Sequence, residues 1–181
     1  ANTEQLIHIP TDSVVLEGAL CIPDDAKGIV LFAHGSGSSR HSPRNNFVAE
    51  LLHEGGLGTL LIDLLSEEED AVYETRFDID LLARRLRVAT EWIQRQAQTR
   101  DLRVGYFGAS TGAAAALKAA AADRDLIGAL VSRGGRPDLA KPDLERVQAP
   151  TLLIVGGEDD VVIELNRYAH KKLNTEKELL I

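Results

Sequence analysis

Ser110 stands at the centre of the run Gly108-Ala109-Ser110-Thr111-Gly112. A serine hydroxyl attacks a carbonyl carbon usefully when a base removes its proton and nearby donors receive the resulting oxyanion. Glycines two residues away on either side let neighbouring backbone approach without a Cβ. The flanks supply the rest of the context. Leu102 to Phe107 reads as an apolar strand, and Ala113 to Ala122 reads as an alanine-rich helix. The spacing therefore predicts a sharp strand-to-helix turn that lifts the hydroxyl above a sheet, ready for acyl transfer through a covalent intermediate. The competing reading is a tight glycine turn whose serine merely caps the helix.

Two other segments hold groups that such a serine needs. His34-Gly35-Ser36-Gly37-Ser38-Ser39-Arg40 follows an apolar run that ends at Ala33. A glycine-rich loop there can aim the N–H groups of Ser36 and Gly37 at an oxyanion, with the N–H of Thr111 as the further donor. His34 itself reads as a support for this loop rather than as the base. Gly156-Gly157-Glu158-Asp159-Asp160 follows the run that ends at Val155. A carboxylate at that place orients a base histidine, and Asp159 is the first choice with Asp160 behind it. The alternative is an acidic turn that caps the next helix. Arg40 follows the oxyanion loop, and Arg133 and Arg136 follow the run that ends at Val131, where a guanidinium can hold an anionic group of a substrate. Pairing with the protein's own carboxylates is the competing role.

The elements that must position these groups alternate. Strands are predicted near Leu6–Ile9, Val14–Ile22, Gly28–Ala33, Gly58–Asp63, Leu102–Phe107, Ile127–Val131, Pro150–Val155 and Lys177–Ile181. Helices are predicted at Pro43–His53, Phe77–Gln98, Ala113–Ala122 and Val162–Leu173. In Phe77–Gln98 the residues Ile79, Leu82, Leu86, Ala89 and Ile93 recur at helical spacing, with Arg84, Arg85 and Arg87 mostly off that stripe. This is an α/β pattern: a mostly parallel sheet with helices on both faces and an antiparallel pair at its start. Chemistry in such sheets lies outside the carboxyl ends of the strands, where the three segments fall.

Composition narrows the classes. The chain of 181 residues is 44% hydrophobic and 27% charged, enough for a single domain over residues 1–181. A net charge of -8 argues against a nucleic-acid partner. The acidic run Glu67-Glu68-Glu69-Asp70 reads as a solvated loop. Cys21, the single cysteine, reads as a small buried hydrophobe. No apolar run is long enough to span a membrane, and no secretion signal opens the chain, so a cytoplasmic location is expected. No cluster has metal-ligand spacing, so no metal or cofactor is expected.

Together the loop at His34-Gly35-Ser36-Gly37, the elbow at Gly108–Gly112 and the acid in Gly156-Gly157-Glu158-Asp159 resemble the α/β-hydrolase superfamily. Within it they resemble the small, lidless dienelactone-hydrolase-like members, from about residue 14 onward. The resemblance implies an α/β-hydrolase fold with Ser110 as nucleophile and Asp159 as triad acid. It implies an oxyanion hole of Thr111 with residues near Ser36, and a small ester, thioester or lactone as substrate. Members carry cysteine or serine as nucleophile, and this chain has serine.

One departure stands out. Such families place the base histidine after the acid, on a loop beyond the last core strand. His170, the only histidine after Asp159, falls in a predicted helix, and His8, His41 and His53 are poorly placed. The expectation is that the base lies beyond Ile181, in a domain missing its C-terminal loop and helix here. Two other functions stay open. One is a hydrolase fold used for binding alone. The other is a dinucleotide-binding module, since Gly35-Ser36-Gly37 follows a strand and Asp63 ends the next, although Arg40 stands where a third glycine belongs.

Overall fold

The computed structural model describes residues 3–181. The continuous apolar runs form the inner strands, and the amphipathic ones form the helices. In chain order these are β1 (Glu4–Pro10), β2 (Val15–Cys21), β3 (Gly28–Ala33), α1 (Pro43–Glu54), β4 (Gly58–Ile62), α2 (Glu67–Asp70) and α3 (Ile79–Arg95). Then come β5 (Arg103–Ala109), α4 (Thr111–Ala122), β6 (Ile127–Arg133), β7 (Thr151–Ile154), α5 (Asp160–Lys172) and β8 (Lys177–Leu180). The described strands form one sheet in the order β1-β2-β4-β3-β5-β6-β7-β8. β2 pairs antiparallel with both β1 and β4, and all other pairings are parallel. This is the expected α/β-hydrolase architecture. No helix among the described residues is long and apolar enough to cross a membrane.

Strand alternation sorts the core into two layers. Leu31, Leu60, Tyr106, Leu130 and Leu153 point to one face, where they join buried residues of α3, α4 and α5. Phe32, Leu61 and Phe107 are cross-strand neighbours on the other face, and they pack with Ala49 of α1. That second face is well covered near β3 and β4. Toward β7 and β8 it stays half open: Val131, Leu152 and Ile154 are half-buried, and Leu180 is 54% exposed.

Two local expectations are corrected. The helix predicted from Phe77 begins at Ile79, because the Asp78 carboxylate accepts from the Leu81 N–H at 3.1 Å and caps it there. Tyr73–Phe77 is instead a separate 3₁₀ turn. The acidic run is not a loop. Ser66 and Glu69 form a reciprocal capping box that starts α2. Glu69 then turns inward to form two short hydrogen bonds, 2.7 and 2.8 Å, with the buried Arg85 guanidinium.

Candidate active site

β5 ends at Ala109 and α4 begins at Thr111, so Ser110 alone makes the turn. Its backbone adopts φ 55° and ψ -124°. A non-glycine residue there carries strain on the order of 1–3 kcal/mol. Crowding imposes this geometry. A Cβ on Gly108 would meet Ala113 Cα and Gly112 O at 2.6 Å, and one on Gly112 would overlap the Ala33 carbonyl oxygen. The two glycines therefore let β3, β5 and α4 converge, and Ser110 is the residue left projecting. The Ser110 carbonyl accepts from the N–H of Ala113 at 3.1 Å and of Arg136 at 3.2 Å, while the Ser110 N–H donates to Arg133 O at 3.3 Å.

Ser110 is half-buried in a cleft of about 400 Å³ at the carboxyl ends of β3, β5, β6 and β7. Gly35 and Ser36 line it from the β3 loop, Arg133 from β6 and Gly156 from β7. Gly35 presses on the serine so closely that a Cβ there would lie 2.9 Å from Ser110 Cβ. Among the described residues no acceptor takes the N–H of Ser36, Gly37 or Thr111. Ser36 reaches the cleft itself. Gly37 and Thr111 border a small adjoining cavity that Gly35 and Ser36 also line.

His34 is buried beneath this loop. Its Nε2 accepts from the Leu64 N–H at 3.1 Å, which leaves Nδ1 to donate to Gly35 O at 3.0 Å. Both ring nitrogens are thus spent on holding the loop, as the sequence led one to expect.

The three arginines separate. Arg40 faces Asp63 (Nε–Oδ2 3.3 Å) and Glu17 (3.6 Å), and Arg136 forms a two-pronged bond with Asp138 at 2.9 and 3.0 Å. Neither lines the cleft, because a nearby carboxylate holds each away from it. Arg133 does line it. Arg133 stacks on Phe107 and donates to Asn45 Oδ1 at 2.8 Å. Burial, and then the charge of Arg44, push its guanidinium below the usual arginine range. Arg44 and Asn45 of α1 also line the cleft. Sequence reasoning missed both, since nothing in the spacing of α1 says that its first turn overhangs Ser110.

Asp159 sits in the β7–α5 turn, exposed, with its carboxylate accepting from the Val162 N–H at 3.2 Å to cap α5. Asp160 is the first residue of that helix. None of the five histidines lines the Ser110 cleft. His170 lies in α5, and the His53 ring contacts Thr59 Oγ1 at 2.6 Å. Asp63 accepts from the Arg40 N–H through Oδ1 at 2.7 Å, and its Oδ2 lies 3.3 Å from Arg40 Nε, so this carboxylate is engaged with Arg40.

Residues 16–179 match the dienelactone hydrolase family. The crystal structure of a dienelactone hydrolase from Anabaena variabilis is 55% identical and superposes with a TM-score of 0.96, covering 99% of this chain and 85% of that one. Est1E from Butyrivibrio proteoclasticus, also solved with ferulic acid bound, has the same fold at 16% identity and TM-score 0.81, covering 97% of this chain and 88% of that chain. Two Mycobacterium tuberculosis proteins, from strains CDC 1551 and H37Rv, are 55% identical over 166 residues, 92% of this chain. Both bear a provisional phosphoribosyl transferase name, and the chain spans 38% of their length.

Proposed function

The chain belongs to the dienelactone hydrolase family, and from that premise we propose that it hydrolyses a small carboxylic ester, thioester or lactone through an acyl-Ser110 intermediate. The observation that carries this reading is the single-residue Ser110 turn with φ 55°, set in a cleft beside unpaired loop amides. Attack by Ser110 Oγ on the substrate carbonyl builds a tetrahedral oxyanion. The N–H groups of Thr111 and of Ser36 or Gly37 receive it, and each such donor is worth about 3–4 kcal/mol of transition-state stabilisation. Collapse expels the alcohol or thiol, and water then releases the acid. Arg133 stands beside the nucleophile with no carboxylate partner among the described residues, so it holds an anionic group on the substrate.

The base in this proposal comes from residues that follow Ile181, with Asp159 orienting it. Support comes from the absence of any histidine from the cleft and from the path of β8. β8 runs parallel to β7, with Val155 N–H donating to Leu180 O at 2.9 Å. Residues after Ile181 therefore leave at the same rim as Asp159. A fluorophosphonate probe on the intact protein tests the nucleophile. Labelling at Ser110 that vanishes in Ser110→Ala is expected, whereas no labelling, or labelling that survives the substitution, overturns the proposal.

A binding-only role is the second reading, favoured by that same lack of a histidine. A fluorophosphonate-inert intact protein that binds an ester with unchanged affinity in Ser110→Ala would establish it. The transferase name of the mycobacterial proteins belongs to chains of which this one spans 38%, and nothing in the Ser110 cleft extends it here.

A further inference from the structure

The carbonyl of the strained Ser110 is held from two sides. One hold is local, the Ala113 N–H at the start of α4. The other crosses the molecule. The Arg136 N–H that donates to Ser110 O at 3.2 Å belongs to the Gly135–Arg136 peptide. The carbonyl of that same peptide accepts from Asn166 Nδ2 at 3.2 Å. One peptide unit thus links Asn166 of α5 to the serine.

Asn166 is a poor choice for its place on packing grounds. It is fully buried near the middle of α5, and its Oδ1 has no hydrogen-bond partner among the described residues. A buried polar atom left unpaired is destabilising, and asparagine is a weak helix former. Its Nδ2 protons are both in use, the second on Val162 O at 2.8 Å. The peptide it grips has little room to move. A Cβ on Gly135 would overlap Ser132 Oγ and would come within 2.6 Å of Ala113 Cβ. Hydrogen bonds on both sides of one peptide polarise it, and each strengthens the other.

We propose that Asn166 is a positioning residue for the nucleophile. Through the Gly135–Arg136 peptide it fixes the Ser110 carbonyl, and with it the direction of the Ser110 side chain. Because α5 starts at the Asp159 cap two turns earlier, it also sets the offset between the nucleophile and the proposed acid. Asn166 touches neither substrate nor reacting atoms. The inference rests on the Ser110 reading above.

The test uses Asn166→Leu and Asn166→Asp in the intact protein, with p-nitrophenyl acetate as substrate. Asn166→Leu is expected to leave KM within about twofold and to lower kcat roughly 10–100-fold, the scale of a small misplacement. Asn166→Asp is expected to recover toward wild type as pH falls through its own titration, since a protonated carboxyl donates one hydrogen bond and an ionised one none. The Arg136 amide should exchange its hydrogen at least about tenfold faster in both variants while mid-α5 amides keep their protection. An unchanged kcat in Asn166→Leu, or a wild-type pH profile in Asn166→Asp, overturns the inference. If Asn166→Leu fails to fold, the aspartate profile decides. If wild type is not labelled at Ser110, the Ser110 reading falls separately. Exchange at Arg136 then decides alone, and equal rates in wild type and variant overturn the link.

Discussion

Position 35 is glycine because of the serine it touches. A Cβ there would lie 2.9 Å from Ser110 Cβ and 3.3 Å from Ala109 O. Gly35→Ala should therefore shift Ser110 or the loop by a few tenths of an ångström and leave the sheet alone. The expected outcome is fluorophosphonate labelling slowed about 10–100-fold, with a stability loss of about 1 kcal/mol by urea denaturation. Labelling at the wild-type rate would mean that the loop does not set the serine. Gly108→Ala and Gly112→Ala, which strike backbone instead, should not yield folded protein. Arg133→Ala should cut kcat/KM for esters with an anionic acyl group by about 10–100-fold, the range of a lost charged hydrogen bond. Neutral esters should change far less, and an unchanged ratio counts against the contact. The elbow was legible in sequence because backbone crowding admits only glycine at two of its places. The fate of the arginines was not. Proximity to a strand end is local, but whether a guanidinium is free depends on a partner such as Asp63, 23 residues from Arg40.

Elements depend on such distant partners too. Arg85 lies off the clean apolar stripe of α3, yet it is 4% exposed. It is buried because Glu69, 16 residues earlier, meets its two terminal nitrogens with both oxygens, while Leu64 O and Ser13 Oγ each accept from one of those same nitrogens. Pattern reading sees an acidic run and a basic helix face, each of which reads as solvated when taken alone. Their pairing docks α2 against α3 beside the loop that holds His34. The Arg85 hydrogen bonds pull the Glu69 carboxyl down to about 2. A carboxyl depressed in the folded state stabilises above its unfolded pKa, and that contribution fades as pH falls from about 5 toward 2. A shift of this size is worth roughly 3 kcal/mol. Urea midpoints for wild type should therefore drop between pH 6 and pH 3 by more than those of Glu69→Gln. Parallel curves for the two proteins would assign the acid sensitivity elsewhere. Arg85→Met, which strands the Glu69 charge, should cost about 3–5 kcal/mol at pH 7.

At the scale of the whole molecule the sheet is unevenly dressed. α3, α4 and α5 cover one face, while on the other α1 packs over β3 and β4. Val131, Leu152, Ile154 and Leu180 extend that second layer toward the edge with less and less cover. Alternation along β6, β7 and β8 made this face readable as apolar, but no pattern within 1–181 could name what lies on it. The proposal that the base follows Ile181 carries a consequence here. If residues after Ile181 both supply the base and lie across this open face, they cover Leu180. Leu180→Glu separates the cases by the size of its effect on stability. In a protein ended at Ile181, a charge at this exposed site should leave stability within about 0.5 kcal/mol and reduce self-association in sedimentation. In a protein continued past Ile181, the same carboxylate would be buried without a partner, and stability should fall by several kcal/mol. The continued protein should also label Ser110 faster by orders of magnitude, because a serine without its base keeps only the residual rate that the oxyanion donors and binding provide. Equal labelling rates, together with an equal response to Leu180→Glu, would mean that the segment after Ile181 neither covers the face nor supplies the base.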